Sequence, residues 1–476
     1  MILTAILLLV LSVMAVSLMF LSQSETWSSL NYRLMSQARD GAEAGVNKAA
    51  NYLINGYTPS GGAGDPLSNY TLTVSPVTYL GSPVVLSANS QVSSNYPASS
   101  VQASFSTNGR GSLTAGSSTV NYAASATLLS MQQVTQYRTT TPVTIQSWLI
   151  TSDGSINGIR NAQVEVSAIL EQPITPVFNY AAFAISSGCS ALTFGGGGMT
   201  DSYDSTTVVN GKVTTQPTDG NVGTNGNLSE SGAPTTINGT LSTPRTGVGT
   251  CSTNSVTAWT DNQGKVTGGL VELPQPITYP DPTIPPPGTT NLSLNKNWNC
   301  PTGQNAIPGC STDGKGNITL PPGSYGDISL TGGANVHLSA GTYNINTISE
   351  TGQSTVVIDS GPVILNVTGN NVNNNQAAID LTGGGVTNAS LVPMNFQIAY
   401  AGTANVKLAG GSLAAGVLYA PNASFSFTGG GNWYGAVIGQ VMTDMGGTAV
   451  HYDRRLKDTA YMIGKYMLSS FTWKKY

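Results

Sequence analysis

The feature that most limits the fold of this chain is the apolar run at its start. Residues 1–21 carry no charged side chain, and only Thr4, Ser12 and Ser17 interrupt the hydrophobic residues. About 20 such residues are enough for a helix to span a bilayer. No basic residue precedes Arg33, so the run lacks the positively charged start of a secretory signal peptide. The run therefore predicts a membrane-spanning helix.

The same helix is predicted to continue to about residue 55. Small and apolar residues recur there every three or four positions, as they do along one face of a helix. These residues are Leu30, Leu34, Ala38, Gly41, Gly45, Ala49 and Leu53. Gly56 provides a stop, because glycine readily adopts the left-handed conformation that ends helices. A single helix over residues 1–55 would be about 80 Å long at ~1.5 Å per residue.

A long N-terminal helix ahead of a β-rich body resembles the type IV pilin superfamily, and its PilX-like minor pilins in particular. The likeness rests on the start MILTA and on the run ARDGAEAG at residues 38–45. It implies an extracellular filament in which the helices of this and other pilins pack together, after anchoring in the inner membrane and removal of a leader by prepilin peptidase. It places filament assembly at Met1, Ile2, Leu3, Thr4 and Ala5, with Met1 at or near the processed N-terminus. An ordinary single-pass anchor is the alternative.

Position 5 departs from the pattern of that family. Most pilins have glutamate there, and its carboxylate neutralises the terminal amine of a neighbouring subunit, whereas this chain has Ala5. An unpaired amine in an apolar helix bundle is costly. Three explanations stay open: Thr4 or backbone carbonyls solvate the amine, the N-terminus lies slightly upstream of Met1, or the subunit sits at a filament tip. The sequence does not distinguish a major subunit from a minor or tip subunit.

Residues 56–178 are predicted to form an antiparallel β domain that packs on the second half of the helix. Short alternating segments, among them SVQASFST at residues 100–107, are separated by turn signals at residues 108–109 and 152–154. Three apolar residues are assigned to the core of this domain: Ile150, Val164 and Val166.

Residues 179–476 are predicted to form a Gly-rich, β-helix-like domain with a Pro-rich crossing segment at 271–290. From residue 315 to 455, a short alternating strand followed by Thr-Gly-Gly or a variant recurs, ending near residues 333, 352, 369, 384, 411, 430 and 447. Repeats of about 20 residues with one strand and one turn predict a β-solenoid; a β-sandwich is the alternative. The last segment, LSSFTWKKY, is predicted to be a closing strand with Phe471 and Trp473 inward. The fold class is therefore α+β and mostly β.

The end of this repeat region carries a second resemblance. The block from residue 411 to 456, with AVHYD at residues 449–453 and then Leu456, is similar to a Gly-rich domain attached to PilX-like and other surface-filament proteins. That resemblance implies no catalytic role. The run His451 to Arg455 is expected to anchor the last rung of the solenoid.

Four cysteines are expected to form disulfides in an exported protein. Three pairings are compatible with the sequence, and the simplest joins Cys189 to Cys251 and Cys300 to Cys310. The chain has no Cys-x-x-Cys pair of the kind that binds zinc. Unpaired buried thiols are the alternative.

Composition argues against several classes of function. Lys, Arg, Asp and Glu make up 8% of the chain, against about 25% in average soluble domains. A net charge of -4 does not fit a nucleic-acid surface, and two histidines leave little for metal or histidine-based catalysis. We therefore expect no catalytic, cofactor or metal site, and a structural role with adhesion to surface carbohydrate.

The alternative function is a membrane-anchored, polysaccharide-binding or polysaccharide-cleaving β-helix protein. Glycoside hydrolysis needs two carboxylates about 5–9.5 Å apart. Asp359 and Asp380 are the one acidic pair that the repeat places at similar positions on neighbouring rungs. We expect both to be surface residues.

Overall fold

The computed structural model describes residues 2–61, 65–115, 118–158, 161–209, 211–262, 264–373 and 376–475. The chain forms two compact units. The first comprises Met1–Val134, Pro142–Pro173 and Lys465–Tyr476, and the second comprises Thr135–Thr141 and Ile174–Gly464. The predicted helical segment 1–55 and the predicted sheet domain 56–178 thus share one unit, and the end of the predicted segment 179–476 returns to it.

The first unit contains two helices, α1 at Ile2–Asn55 and α2 at Ser99–Asn108. Its strands before the second unit are β1 Tyr70–Thr71, β2 Thr78–Tyr79, β3 Ser82–Pro83, β4 Val85–Ser87, β5 Arg110–Ala115, β6 Ser118–Thr135, β7 Pro142–Ile156 and β8 Ala162–Glu171.

The second unit contains short strands joined by turns. They are β9 Ile174–Pro176, β10 Ala182–Ala184, β11 Leu192–Phe194, β12 Met199–Tyr203, β13 Val222–Thr224, β14 Leu228–Ser231, β15 Thr236–Ile237, β16 Leu241–Thr243, β17 Trp259–Asn262, β18 Lys265–Val266, β19 Leu270–Glu272, β20 Leu292–Leu294, β21 Ser311–Thr312, β22 Asn317–Leu320, β23 Gly323–Ser324, β24 Asp327–Leu330, β25 Asn335–Leu338, β26 Gly341–Ile345, β27 Thr347–Glu350, β28 Thr355–Ile358, β29 Val363–Val367, β30 Ala377–Leu381, β31 Val386–Thr387, β32 Phe396–Tyr400, β33 Asn405–Ala409, β34 Ala415–Thr428, β35 Gly431–Asp444, β36 Thr448–Asp453 and β37 Tyr461–Ile463. The last strand, β38 Met467–Lys475, returns to the first unit.

The main sheet of the first unit has the order β38-β8-β7-β6-β4, with β5 also pairing with β6. Its pairings are antiparallel, as between β7 and β8, where Trp148 lies beside Leu170. Alternate residues of β8 are buried under α1, as the period of two in a strand requires. The predicted long N-terminal helix, the predominance of β-structure and the antiparallel sheet are confirmed, and Ile150, Val164 and Val166 lie in the core.

Two local predictions in this unit are wrong. Residues 100–107, predicted as a strand, belong to α2. Val101 and Phe105 are four residues apart, so they share a helix face as readily as alternating strand positions, and Phe105 is fully buried. Residues 152–154, predicted as a turn, lie within β7.

Most strands of the second unit pair in parallel. Along one ladder, a buried apolar residue of each strand lies beside its equivalent in the next. In order, these residues are Leu292, Ile328, Ile348, Ile379, Val406, Phe425 and Met442. The predicted repeat is divided between ladders, because β29 pairs with β26 and β32 rather than with β27 or β30.

The Pro-rich segment 271–290 crosses the body of the second unit. Residues 264–294 are described in full, and between Glu272 and Leu292 they contain no strand. The Asn225 side chain donates to and accepts from the backbone of Ile277 at 2.8 Å, and the Tyr419 hydroxyl donates to the Pro280 carbonyl at 2.6 Å. These side chains satisfy backbone groups that a proline-rich strand would leave unpaired.

Candidate functional site

The first half of α1 is the largest exposed apolar surface of the first unit. Every residue from Ile2 to Arg33 is exposed, with Ile2 at 81% and Leu3 at 84%. In the described part of the chain, α1 is the one helix long and apolar enough to cross a membrane. Of the predicted assembly residues, Ile2, Leu3, Thr4 and Ala5 lie at the exposed start of α1, and Met1 lies outside the described residues.

Charge is almost absent from this half of the helix. Glu25 is the single charged residue between Ile2 and Tyr32. At ~1.5 Å per residue, it lies about 30 Å along the helix axis from Ala5. The three explanations for Ala5 therefore stay as the sequence left them.

The second half of α1 packs closely on the sheet through small residues. Ala38, Ala42 and Ala49 are fully buried. A Cβ on Gly154 of β7 would overlap the Ala38 carbonyl oxygen and lie 2.6 Å from the Ala42 nitrogen. Glycine at this point of β7 thus permits close backbone approach rather than a turn.

Glycines on the helix itself serve the same contact. A Cβ on Gly41 would overlap the Val120 side chain, and one on Gly45 would overlap the Ser152 hydroxyl. From Ala38 onward, the small-residue stripe predicted from the sequence is therefore the face by which α1 docks on the sheet, whereas Leu30 at its start is 41% exposed.

The C-terminal strand β38 forms the edge of this sheet, beside β8. Phe471 and Trp473 are 55% and 51% exposed, so the prediction that they point inward is wrong. The physical reason is that α1 lies mainly over β7 and β8, so it covers the edge strand only in part. The Arg39 guanidinium lies 5.9 Å from the centre of the Trp473 ring, and the Lys475 ammonium lies 5.2 Å from it.

Both disulfides lie in the second unit. Cys189 is joined to Cys251 with a Cα–Cα distance of 5.7 Å, and Cys300 is joined to Cys310 at 5.9 Å. All four cysteines of the sequence are therefore paired.

Asp359 and Asp380 do not form a carboxylate pair. Asp359 follows β28, which pairs with β25 and β31, whereas Asp380 lies in β30, which pairs with β27 and β33. Asp359 contacts His337 Nδ1 at 2.8 Å, and Asp380 lies 3.6 Å from the Lys407 ammonium. The prediction of equivalent positions on neighbouring rungs is wrong because the repeat skips between ladders. Among the described residues, no group of three or more His, Cys, Asp or Glu is placed to hold a metal ion.

Glu350 and Asp444 are buried acids that the sequence reasoning did not single out. Glu350 lies beside Leu330 and Asp444 lies beside Phe427, so each takes the place of an inward apolar residue. Glu350 accepts from the backbone nitrogens of Val356 at 3.1 Å and Gly385 at 3.0 Å. Burial raises the pKa of Glu350 to about 8 and that of Asp444 to about 6. The sequence signal for such a buried acid is an acidic residue at an inward position of an alternating strand, as in TISE at residues 347–350.

The run from His451 to Arg455 joins β36 to the neighbouring strand β12. The His451 ring contacts the Asp201 carboxylate through Nδ1 and Asn432 Oδ1 through Nε2 at 3.1 Å. Arg455 pairs with Asp204 at 3.0 Å, and its guanidinium lowers the pKa of that carboxyl. Since each partner is a neighbouring protein group, the cluster anchors this part of the fold.

The chain is similar to a family model and to a solved structure. A family model described as "Domain of unknown function (DUF7305)" matches residues 301–459, less than half of the chain. The crystal structure of the competence-associated pilin ComZ from Thermus thermophilus is similar over 93% of this chain and 98% of that chain, with 13% sequence identity and a TM-score of 0.24. No curated protein matches the chain. Two chains that superpose with so low a TM-score need not share a fold.

Proposed function

We propose that the chain is a structural subunit of a type IV pilus-like extracellular filament, of the PilX-like minor-pilin kind. On this proposal, α1 anchors the subunit in the inner membrane before assembly. Prepilin peptidase and the pilus assembly machinery then act on it, and α1 packs with helices of the same chain or of other pilins in the filament core.

The observation that carries the proposal is the division of α1 into two halves. Its second half is docked on a sheet through small residues, whereas its first half is apolar and exposed from Ile2 onward. Exposed apolar surface of this extent marks a membrane or protein contact. One continuous helix thus has a half docked on its own sheet and a half free to contact lipid or other helices. This fits a subunit that leaves a membrane and enters a helix bundle.

We further propose that the parallel ladders of the second unit are a β-solenoid displayed on the cell surface. The two disulfides support an oxidising, extracellular location. Charged residues make up 8% of the chain, so hydrogen-bonding groups of Asn, Thr, Ser and Gly dominate its polar composition. Such a surface suits adhesion to carbohydrate.

The proposed role is not enzymatic. The separation of Asp359 from Asp380 between two ladders speaks against glycoside hydrolysis at this pair, because that reaction needs both carboxylates about the same glycosidic bond.

The test is to shear filaments from cells, examine them by electron microscopy and search them for this chain by mass spectrometry. We expect the chain in the filaments. Its absence from filaments, together with loss of polysaccharide cleavage in Asp359→Asn or Asp380→Asn, would favour the alternative.

A further inference from the structure

A groove lies beside α1 in the first unit, at the edge formed by β38. Its volume is about 420 Å³. The residues that line it include Tyr32, Met35, Arg39, Val164, Trp473 and Lys475. One side is thus the second half of α1, and the other is the end of the sheet. The groove combines an apolar, aromatic surface with two cations.

The two cations both lie close to one aromatic ring. The Arg39 guanidinium and the Lys475 ammonium both lie within 6 Å of the Trp473 ring centre, at 5.9 and 5.2 Å. Arg39 also pairs with Glu43 at 2.7 Å, yet its side chain remains 50% exposed. The groove therefore presents net positive charge to an approaching segment.

We propose that this groove binds the first half of α1 from a second copy of the chain, with the neighbour's Glu25 facing Arg39 and Lys475. The inference rests on the proposed function, because it requires subunits that assemble side by side.

Charge and shape of the exposed helix match the groove. Glu25 is the single charge between Ile2 and Tyr32, and Leu21 and Leu18, one and two turns before it, are exposed. That segment therefore offers apolar side chains and one carboxylate. The groove offers an apolar aromatic wall and two cations. A carboxylate that leaves water for an apolar helix assembly needs such a partner.

The groove of the same subunit is out of reach for Glu25. Glu25 and Arg39 lie fourteen positions apart on one continuous helix, which is about 21 Å along its axis. A side chain spans only a fraction of that distance. The pairing is therefore between copies, and a parallel neighbour would be shifted along the axis by about this length.

Crosslinking of two differently tagged copies tests the inference in assembled filaments. One copy carries Glu25→Cys and the other carries Lys475→Cys, and a short bismaleimide joins their thiols. The four native cysteines are paired, so the two introduced thiols are the reactive ones. The matched control is Lys474→Cys, because Lys474 pairs with Glu165 and alternates with Lys475 along β38.

We expect several-fold more crosslinked product with Lys475→Cys than with Lys474→Cys. Filaments that contain both tagged copies but give no crosslink, or give equal crosslinking at the two positions, would overturn the groove inference and leave the proposed function standing. Absence of the wild-type chain from filaments would instead overturn the proposed function, and the inference with it.

Charge exchange provides a second measurement. Glu25→Lys and Lys475→Glu are each expected to lower incorporation into filaments, and their combination in one chain is expected to restore it. Restoration supports the pairing between copies. Loss that the combination does not restore would contradict it.

Discussion

The two units of the molecule differ in how much of their apolar surface is buried. In the second unit, hydrophobic side chains from Val177 to Met462 form one buried cluster. In the first unit, a buried cluster joins the sheet to the second half of α1, but Leu3 to Leu21 remain exposed. Burial of apolar surface is the main driving force of folding and association. The difference teaches that the first unit leaves apolar surface free for a membrane or protein contact beside its own core, whereas the second unit places most of its apolar residues in one buried cluster.

Removal of the disulfide that closes the longer loop is expected to lower the free energy of unfolding most. The loss is expected in the second unit only. Cys189→Ser with Cys251→Ser opens a loop with a sequence separation of 62. Loop entropy predicts a loss of about 4 kcal/mol in the free energy of unfolding. Hydrogen-exchange mass spectrometry of the full chain in detergent is expected to show faster exchange in second-unit peptides. Faster exchange across α1 as well would break the comparison.

Cys300→Ser with Cys310→Ser, with a separation of 10, is expected to cost about 3 kcal/mol.

Gly154→Val is expected to destabilise the first unit by about 3 kcal/mol, since its side chain would displace the backbone of α1 at Ala38 and Ala42. Exchange in residues 34–55 would then rise, with no change in the second unit. The control is Gly411→Ala, whose new Cβ would meet its nearest heavy atom, Ala414 Cβ, at 3.7 Å. Unchanged exchange in Gly154→Val would show that the helix does not depend on this close approach.

The pH dependence of stability is expected to belong to the second unit. The pKa of Glu350 is raised from 4.5 to about 8 in the folded chain, so the fold favours its protonated form. This contribution is complete below about pH 4.5 and is lost as the pH rises through about 8. Unfolding free energies measured from pH 5 to 9 are expected to show the decline, and Glu350→Gln is expected to remove its part above about pH 6, where Asp444 no longer contributes. An unchanged slope in Glu350→Gln would assign the decline to other groups.

Lys474→Ala is expected to have the smallest effect. Its ion pair with Glu165, at 3.4 Å, lies on the exposed edge strand, and such pairs contribute about 0.5 kcal/mol. The change is measured by denaturant unfolding of the full chain, followed by hydrogen exchange in peptides of the first unit. A loss well above this value would mean that the side-chain pair, rather than the backbone ladder with β8, holds β38 in place.

The sequence predicted those features that depend on local periodicity. The 3.6-residue period of small residues located α1 and its docking face, and alternation placed Ile150, Val164 and Val166 in the core. The same period was ambiguous over residues 100–107, where spacing of two and of four coincide, so α2 was taken for a strand. Gly154 was taken for a turn because it follows Ser152 and Asp153. Its glycine instead makes room for the helix backbone, a neighbour in space that the sequence does not reveal.

Features that depend on pairing between distant segments were not predictable. The Thr-Gly-Gly repeat marks strand ends but does not say which ladder a strand joins, so Asp359 and Asp380 were placed together although their strands pair with different neighbours. Exposure of Phe471 and Trp473 follows from the edge position of β38, which becomes known only once the strand order is known. Glu350 is buried because its ladder stacks it on Leu330, again a long-range pairing.

The most direct test of the central claim is to measure filament incorporation of Leu11→Arg. Leu11 is 53% exposed and lies in the apolar half of α1, outside the buried core of the first unit. A charge at the centre of such a helix is expected to cost about 3 kcal/mol or more in an apolar environment. Leu11→Ile is the control. We predict that sheared filaments contain the wild-type and Leu11→Ile chains and lack Leu11→Arg, although its two units fold normally. Incorporation of Leu11→Arg at the wild-type level would contradict the claim that this half of α1 is buried among neighbouring subunits.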